Sequence, residues 1–253
     1  MAVGLFVLGD EILSGKRQDK HLTQIIALLA ARGIALDWAQ FIGDDEQRIA
    51  DGIGLVRQRG DVLLSCGGIG ATPDDCTRQA AARAFGVPIQ RHPEAAALIE
   101  AQYGAQAFPN RVLMAEFPEG AGLIPNPINR VAGFFIGTCY FVPGFPEMAW
   151  PMLEWVLDTQ LRHLHNAEPP VEYALRAFGS GGEGDLLALM EATLQQFPGI
   201  KLSSLPFRGS AQNDRHIEFG IKGPCLIAAD AFAWFSAQLL ARGDVTIQDL
   251  HVP

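Results

Sequence analysis

Three adjacent pairs of acids, Asp10 with Glu11, Asp44 with Asp45 and Asp74 with Asp75, are the side chains in this sequence best suited to chemistry. Each pair follows an apolar run that reads as a β-strand, or the loop leaving one. In a parallel sheet all three would fall on the same edge. Any one of these acids is explained by helix capping. Six on one rim are not, because their mutual repulsion asks for a cation among them, and hard oxygen ligands suit Mg²⁺ or a similar divalent ion. The complementary signal is Gly67-Gly68-Ile69-Gly70-Ala71-Thr72-Pro73-Asp74-Asp75-Cys76-Thr77, lying between a strand and a helix. Its glycines let the backbone approach an anion, and the free amides and dipole of the following helix favour phosphate. A tight turn capped by Asp74 or Asp75 is the competing reading. No Lys follows the glycines, which disfavours a P-loop nucleotidase, and the dinucleotide-fold spacing is not matched either. In Ser14-Gly15-Lys16-Arg17-Gln18-Asp19, Lys16 or Arg17 could hold a phosphate, or the stretch is a solvated loop.

The elements that must position these groups alternate strand and helix. Residues 2–8 form a continuous apolar run, as expected of a strand covered on both faces. Asp19 caps a helix whose inward stripe is Leu22, Ile25, Ile26 and Leu29, and Gly33 stops it. Residues 34–42 read as a strand. A second helix starts at Asp44 or Asp45, carries Ile49, Ile53 and Val56 inward, and ends before Gly60. Residues 61–66 are a third strand, and a helix follows from about Asp74 to Phe85. This order predicts parallel strands joined by right-handed crossovers. Further on, residues 134–142 suggest a hairpin turning at Gly137, and a helix runs from Pro146 to about His165. The polar, Pro-rich residues 166–170 are a candidate linker. Beyond it, strands at 173–178, 200–205 and 216–221 and helices at 185–196 and 228–241 suggest a smaller α+β domain over 171–253, after a first domain over 1–166.

Composition narrows the classes. The chain has 253 residues, 49% hydrophobic and 19% charged, which fits a folded protein with a substantial core. Its formal charge of −9 lacks the basic footprint of a nucleic-acid binder. No apolar run reaches membrane-spanning length, and the apolar start has no basic leader. The expectation is a cytoplasmic protein with no membrane partner. Cys66, Cys76, Cys139 and Cys225 are widely spaced, which favours reduced thiols over zinc or disulfides. His163 and His165 are two apart and would face different sides of a helix, and His21, His92, His216 and His251 have no evident partners. Neither a nucleophile elbow nor a Cys/His pair is present, so the chemistry on offer is that of acids and a metal.

Taken together, Gly9-Asp10-Glu11-Ile12-Leu13-Ser14-Gly15, the Asp44-Asp45 turn, Gly67-Gly68-Ile69-Gly70 and Asp74-Asp75-Cys76-Thr77 resemble the molybdopterin-binding domain of the MoaB/Mog type. The N-terminal part of the CinA (competence/damage-inducible) family is the nearest likeness. Asn126-Pro127 with Gly133-Phe134, and Pro143-Gly144-Phe145-Pro146-Glu147-Met148, are similar to two further motifs of that family. The resemblance implies a three-layer α/β fold with a parallel sheet, followed by a small α+β domain. It implies a nucleotide or pterin ligand, a divalent metal (Mg²⁺, Mn²⁺ or Co²⁺) and a homo-oligomer. The family's key acids map onto Asp44 and Asp75; together with Asp10 or Glu11 they would hold the metal. Its phosphate loop maps onto Gly67, Gly68 and Gly70, and Thr77 matches the family's Thr after the acidic pair; Thr72, Ser14 and Lys16 are further candidate phosphate contacts of this sequence. The activity implied is metal-dependent cleavage of ADP-ribose or a related nucleotide diphosphate. Adenylylation of molybdopterin in a pocket lined near Phe134 and Phe145, or a non-catalytic binding module, are the alternatives. Two departures accompany it: the family's C-terminal amidohydrolase domain has no counterpart here, so deamidation is not expected. In addition, Asn129-Arg130-Val131-Ala132-Gly133 replaces the family's Gly-Thr-Ala-Pro-Gly, so that Arg130 could add a phosphate contact.

Overall fold

Every residue of β1 (Val3–Leu8) is buried, and its alternation sends side chains to both faces of a sheet. Val3, Leu5 and Val7 join one core, whereas Phe6 and Leu8 join another. The computed structural model describes residues 1–179, 182–209 and 214–250 (His251 lies outside them), and it divides into two units, 1–165 and 166–253.

In the first unit β1 is followed by a one-turn helix α1 (Asp10–Leu13), α2 (His21–Ala30), β2 (Trp38–Ile42), α3 (Glu46–Arg59), β3 (Val62–Cys66) and α4 (Thr77–Phe85). Next come β4 (Ile89–Arg91), α5 (Pro93–Tyr103), two 3₁₀ turns, β5 (Glu116–Pro118), β6 (Gly122–Ile124), β7 (Gly133–Ile136), β8 (Cys139–Val142) and α6 (Pro146–Thr159). The main sheet has the order β2-β1-β3-β8-β7-β6. Strands β2, β1, β3 and β8 are parallel, and β7 and β6 continue it antiparallel through the hairpin that turns at Gly137, φ 57°. Ile49, Ile53 and Val56 of α3 and Ala80 and Ala81 of α4 cover one face; Ile25, Leu28 and Leu29 of α2 and Met152, Leu153 and Val156 of α6 cover the other. The result is a helix–sheet–helix sandwich in which the carboxyl ends of four strands share one rim.

Local chemistry explains where the sequence reading shifts. The Asp19 carboxylate accepts from the His21 and Leu22 amides, so α2 starts on schedule, but its buried stripe takes Leu28 while Ile26 is 47% exposed. Ile34 and Leu36 pack into the core from an irregular segment, and β2 begins only at Trp38. Helix α3 is capped by Asp45, which accepts from the Arg48 amide, and ends at the left-handed Gly60. Helix α4 starts at Thr77, not Asp74, because the Asp75 carboxylate is turned back into the preceding loop. Helix α6 stops at Thr159, short of His165.

The second unit contains β9 (Val171–Phe178), α7 (Leu187–Gln196), β10 (Lys201–Phe207), β11 (His216–Gly223), α8 (Cys225–Ala241) and β12 (Thr246–Leu250). Its antiparallel sheet has the order β10-β11-β9-β12 and packs Leu175, Ala177, Ile217, Phe219 and Ile221 against Ala228, Ala231, Phe235 and Leu239 of α8. Strand β12 escapes the sequence reading: it is short and exposed, and pairing with β9 is what makes it a strand. Among the described residues no helix is long and apolar enough to cross a membrane.

Candidate functional site

A cleft of about 650 Å³ opens at the carboxyl ends of β1, β3 and β8. Its walls include Gly9 and Glu11 after β1, Asp44 after β2, the loop from Gly67 to Thr72 after β3, and Pro143, Gly144 and Phe145 after β8. The parallel pairing brings these sequence-distant turns together, and crevices at such an edge are where open α/β sheets take ligands.

The glycine loop is held by its surroundings rather than by its own side chains. Gly67 has φ 113°, and a Cβ there would lie 2.6 Å from the Leu8 carbonyl oxygen. Gly68 has φ 67°, and a Cβ on it would land on the Thr77 hydroxyl. The Gly67 amide donates to the Val142 carbonyl at 3.0 Å, and the Thr77 amide donates to Gly68 at 3.0 Å. Thr77 is buried and its hydroxyl donates to the Gly67 carbonyl at 3.1 Å, so it closes the loop and does not line the cleft. Asp75 accepts from the Thr72 amide at 2.9 Å and from the Thr72 hydroxyl, which folds the loop back on itself. Among the described residues the amides of Gly68, Ile69, Gly70 and Ala71 donate no backbone hydrogen bond, and all four residues border the cleft. Four consecutive unspent donors suit an anion.

Of the expected acids, Glu11, Asp44, Asp74 and Asp75 line the cleft; Asp10 and Asp45 do not. Asp10 and Asp44 are coupled instead. The Asp10 amide donates to the Asp44 carboxylate at 3.0 Å, and the Asp44 amide donates to that of Asp10 at 3.3 Å. Burial pushes the Asp44 carboxyl above its ordinary value, and the charges of Asp10, Glu11 and Asp74 push the same way, against the Asp10 amide. Among the described residues no three His, Cys, Asp or Glu side chains form a group that could hold a metal ion. Asp10, Glu11, Asp44 and Asp75 are therefore not a preformed cage. A Mg²⁺-type ion, which keeps waters and takes one or two carboxylates plus ligand phosphates, fits such an open set better than a protein-only site would.

The basic and aromatic expectations are corrected in detail. Ser14 and Lys16 are exposed outside the cleft; Arg17, the other basic candidate, borders it, and Lys20 does so as well. Arg130 is exposed, adopts the left-handed φ of 59°, and is likewise outside. Its neighbours Asn129 and Val131 line the wall, fixed by Asn126, whose side chain accepts from the Ile128 amide at 3.0 Å and donates to the Val131 carbonyl at 3.1 Å. Phe134 is fully buried, its ring stacked between Phe117 at 4.9 Å and Phe141 at 4.6 Å, so it is core. Phe145 borders the cleft and is 51% exposed. Sequence reasoning missed His21, which is buried, lines the cleft and donates from Nε2 to the Gly144 carbonyl at 3.1 Å. Its signal was available: His21, Ile25 and Leu28 share the inward face of the helix that Asp19 caps.

Comparison with known proteins shows the family and the fold. A "CinA-like protein" of Citrifermentans bemidjiense is 34% identical over 210 residues, covering 80% of this chain and 50% of the relative. Another, from Geobacter sulfurreducens, is 33% identical over 187 residues, covering 71% and 45%. The chain thus spans about half the length of the curated relatives it matches. Among solved structures, "the protein CinA with unknown function from Thermoplasma acidophilum" superposes with a TM-score of 0.57 at 25% identity, over 62% of this chain and 98% of that one. The family model described as "Probable molybdopterin binding domain" matches residues 4–163 and so takes in the glycine loop, the acidic rim and every wall of the cleft; the chain belongs to that family.

Proposed function

We propose that the cleft binds a phosphate-bearing nucleotide or pterin and, with a divalent metal, hydrolyses the phosphoanhydride of ADP-ribose or a related nucleotide diphosphate. The observation that carries this reading is the run of four unspent amides, Gly68 to Ala71, bordering the same cleft as the Asp44 carboxylate, whose proton affinity is raised by burial and by its acidic neighbours. The loop amides receive the non-bridging oxygens and stabilise charge that grows on them. Arg17 and Lys20 offset the rim's negative potential for an incoming anion. Phe145 and Met148 offer an apolar wall to a base or pterin ring. A divalent ion would be held by Asp44, with Glu11 and Asp75 on the same cleft, and would supply Lewis-acid polarisation of a phosphoryl oxygen.

The second reading is transfer of AMP to molybdopterin, and the family model's description as a molybdopterin-binding domain supports the pterin ligand it requires. Product analysis separates the two: incubation of ADP-ribose with Mg²⁺, Mn²⁺ or Co²⁺ yields AMP and ribose phosphate in the first, and adenylylated pterin from ATP and pterin in the second. Asp44→Asn is expected to lower either turnover by at least about tenfold to a hundredfold. Tight nucleotide binding with no product under any of these metals would leave a ligand-binding module.

A further inference from the structure

Arg78 sits on the first turn of α4, is only 4% exposed, and is absent from every ion pair among the described residues. Its guanidinium is spent on backbone: one Nη donates to the Gly70 carbonyl at 2.5 Å and the other to the Leu113 carbonyl, while Nε has no partner among the described residues. Burying a cation without a carboxylate partner is costly, and here burial is the larger influence on the group, only partly opposed by the more distant Asp75 and Glu116. A neutral side chain would hold the loop at lower cost, so the charge itself calls for an explanation.

Peptide planarity supplies one. In a trans peptide the carbonyl and the following N–H point in opposite directions, so fixing the Gly70 oxygen on Arg78 aims the Ala71 N–H away from the guanidinium. That N–H is one of the four unspent donors bordering the cleft, and Met114, next to the second anchored carbonyl, borders it too. A cation hydrogen-bonded to a carbonyl also polarises its peptide and strengthens the N–H at the other end.

We infer that Arg78 is a positioning residue for anion recognition: it sets the Gly70–Ala71 peptide and supplies, from behind the glycine loop, the positive charge that a ligand phosphate balances. This inference rests on the phosphate-binding reading of the cleft. The experiment is calorimetry of the full chain with adenosine, AMP and ADP, comparing wild type with Arg78→Met, Arg78→Gln and Arg78→Lys, each first checked for a cooperative thermal melt. The decisive quantity is the gain in affinity from adenosine to AMP and ADP. Arg78→Met and Arg78→Gln are expected to reduce that gain at least about tenfold while adenosine binding changes little, with Arg78→Lys restoring part of it. An unchanged phosphate gain in folded variants, or an equal loss for all three ligands, would reduce Arg78 to a structural staple and overturn the inference. Should Arg78→Met not fold, the Gln and Lys variants decide. A wild type that shows no phosphate gain at all overturns the underlying reading of the cleft instead.

Discussion

At the residue scale the site is a contest between crowded negative charge and unspent amide donors. Asp44 illustrates the sign. Its folded pKa is raised, so the folded protein holds that proton more tightly than the unfolded chain does. Stability therefore falls as pH rises from the unfolded value, about 3.9, through the folded one, and the penalty is fully present above it. Asp44→Asn is expected to raise the melting temperature at pH 7, with the gain vanishing toward pH 3. A bound Mg²⁺ would relieve the same penalty, so Mg²⁺ should stabilise the parent and not the variant; equal Mg²⁺ shifts in both would remove Asp44 from the metal's ligands. Gly67 makes a second test. Its φ of 113° and the nearby Leu8 carbonyl leave no room for a methyl group, so Gly67→Ala should cost about 1–3 kcal/mol in denaturant titrations and weaken phosphate binding with it. The glycines and Asp44 were legible from sequence as types at the right spacing. That Thr77 faces inward, that Arg17 and not Lys16 is the one of that pair to border the cleft, or that Lys20 joins it, was not, because a loop's side-chain directions are set by packing partners far away in the chain.

At the element scale, α2 and α6 flank the sheet on one face, and the turn just after α2 is tied to α6 by a two-pronged pair: Arg32 Nε to Asp158 at 2.6 Å and Arg32 Nη2 to its other oxygen at 2.7 Å. The Arg32 hydrogen bond holds the Asp158 carboxyl below the usual carboxylate range despite slight desolvation. A depressed folded pKa means the contribution is fully present above the unfolded pKa and is lost as pH falls through the folded one. Because Asp158 is half exposed, solvent screens the pair to no more than about 1 kcal/mol. Asp158→Asn should then lower the melting temperature at pH 7 by at most about 2–4 °C, with no difference at pH 2. The helices themselves were readable wherever caps and periodicity agree, as in α3, where Asp45 and Gly60 mark both ends. Helix α4 started three residues late because Asp75 spends its carboxylate on Thr72, a choice that capping rules alone do not make.

At the scale of the molecule, each unit carries its own core: two clusters sandwich the main sheet in residues 1–165, and one separate cluster lies in 166–253. The cleft described here belongs entirely to the first. Residues 1–165 expressed alone are expected to melt cooperatively and to keep the AMP affinity of the full chain within about threefold; a folded fragment that binds AMP much more weakly would overturn that expectation. Local sequence by itself determined the alternation of buried strands and capped helices, and with it a parallel sheet whose glycine bend and acids share one edge, because periodicity, caps and glycine are short-range properties of the chain. Tertiary structure alone decided which donors remain unspent, which acids are drawn into mutual contact, that Phe134 is core while Phe145 reaches the cleft, and that β12 exists at all. Those outcomes depend on pairings between residues far apart in sequence, and the free energy of such a pairing is not encoded at either partner alone.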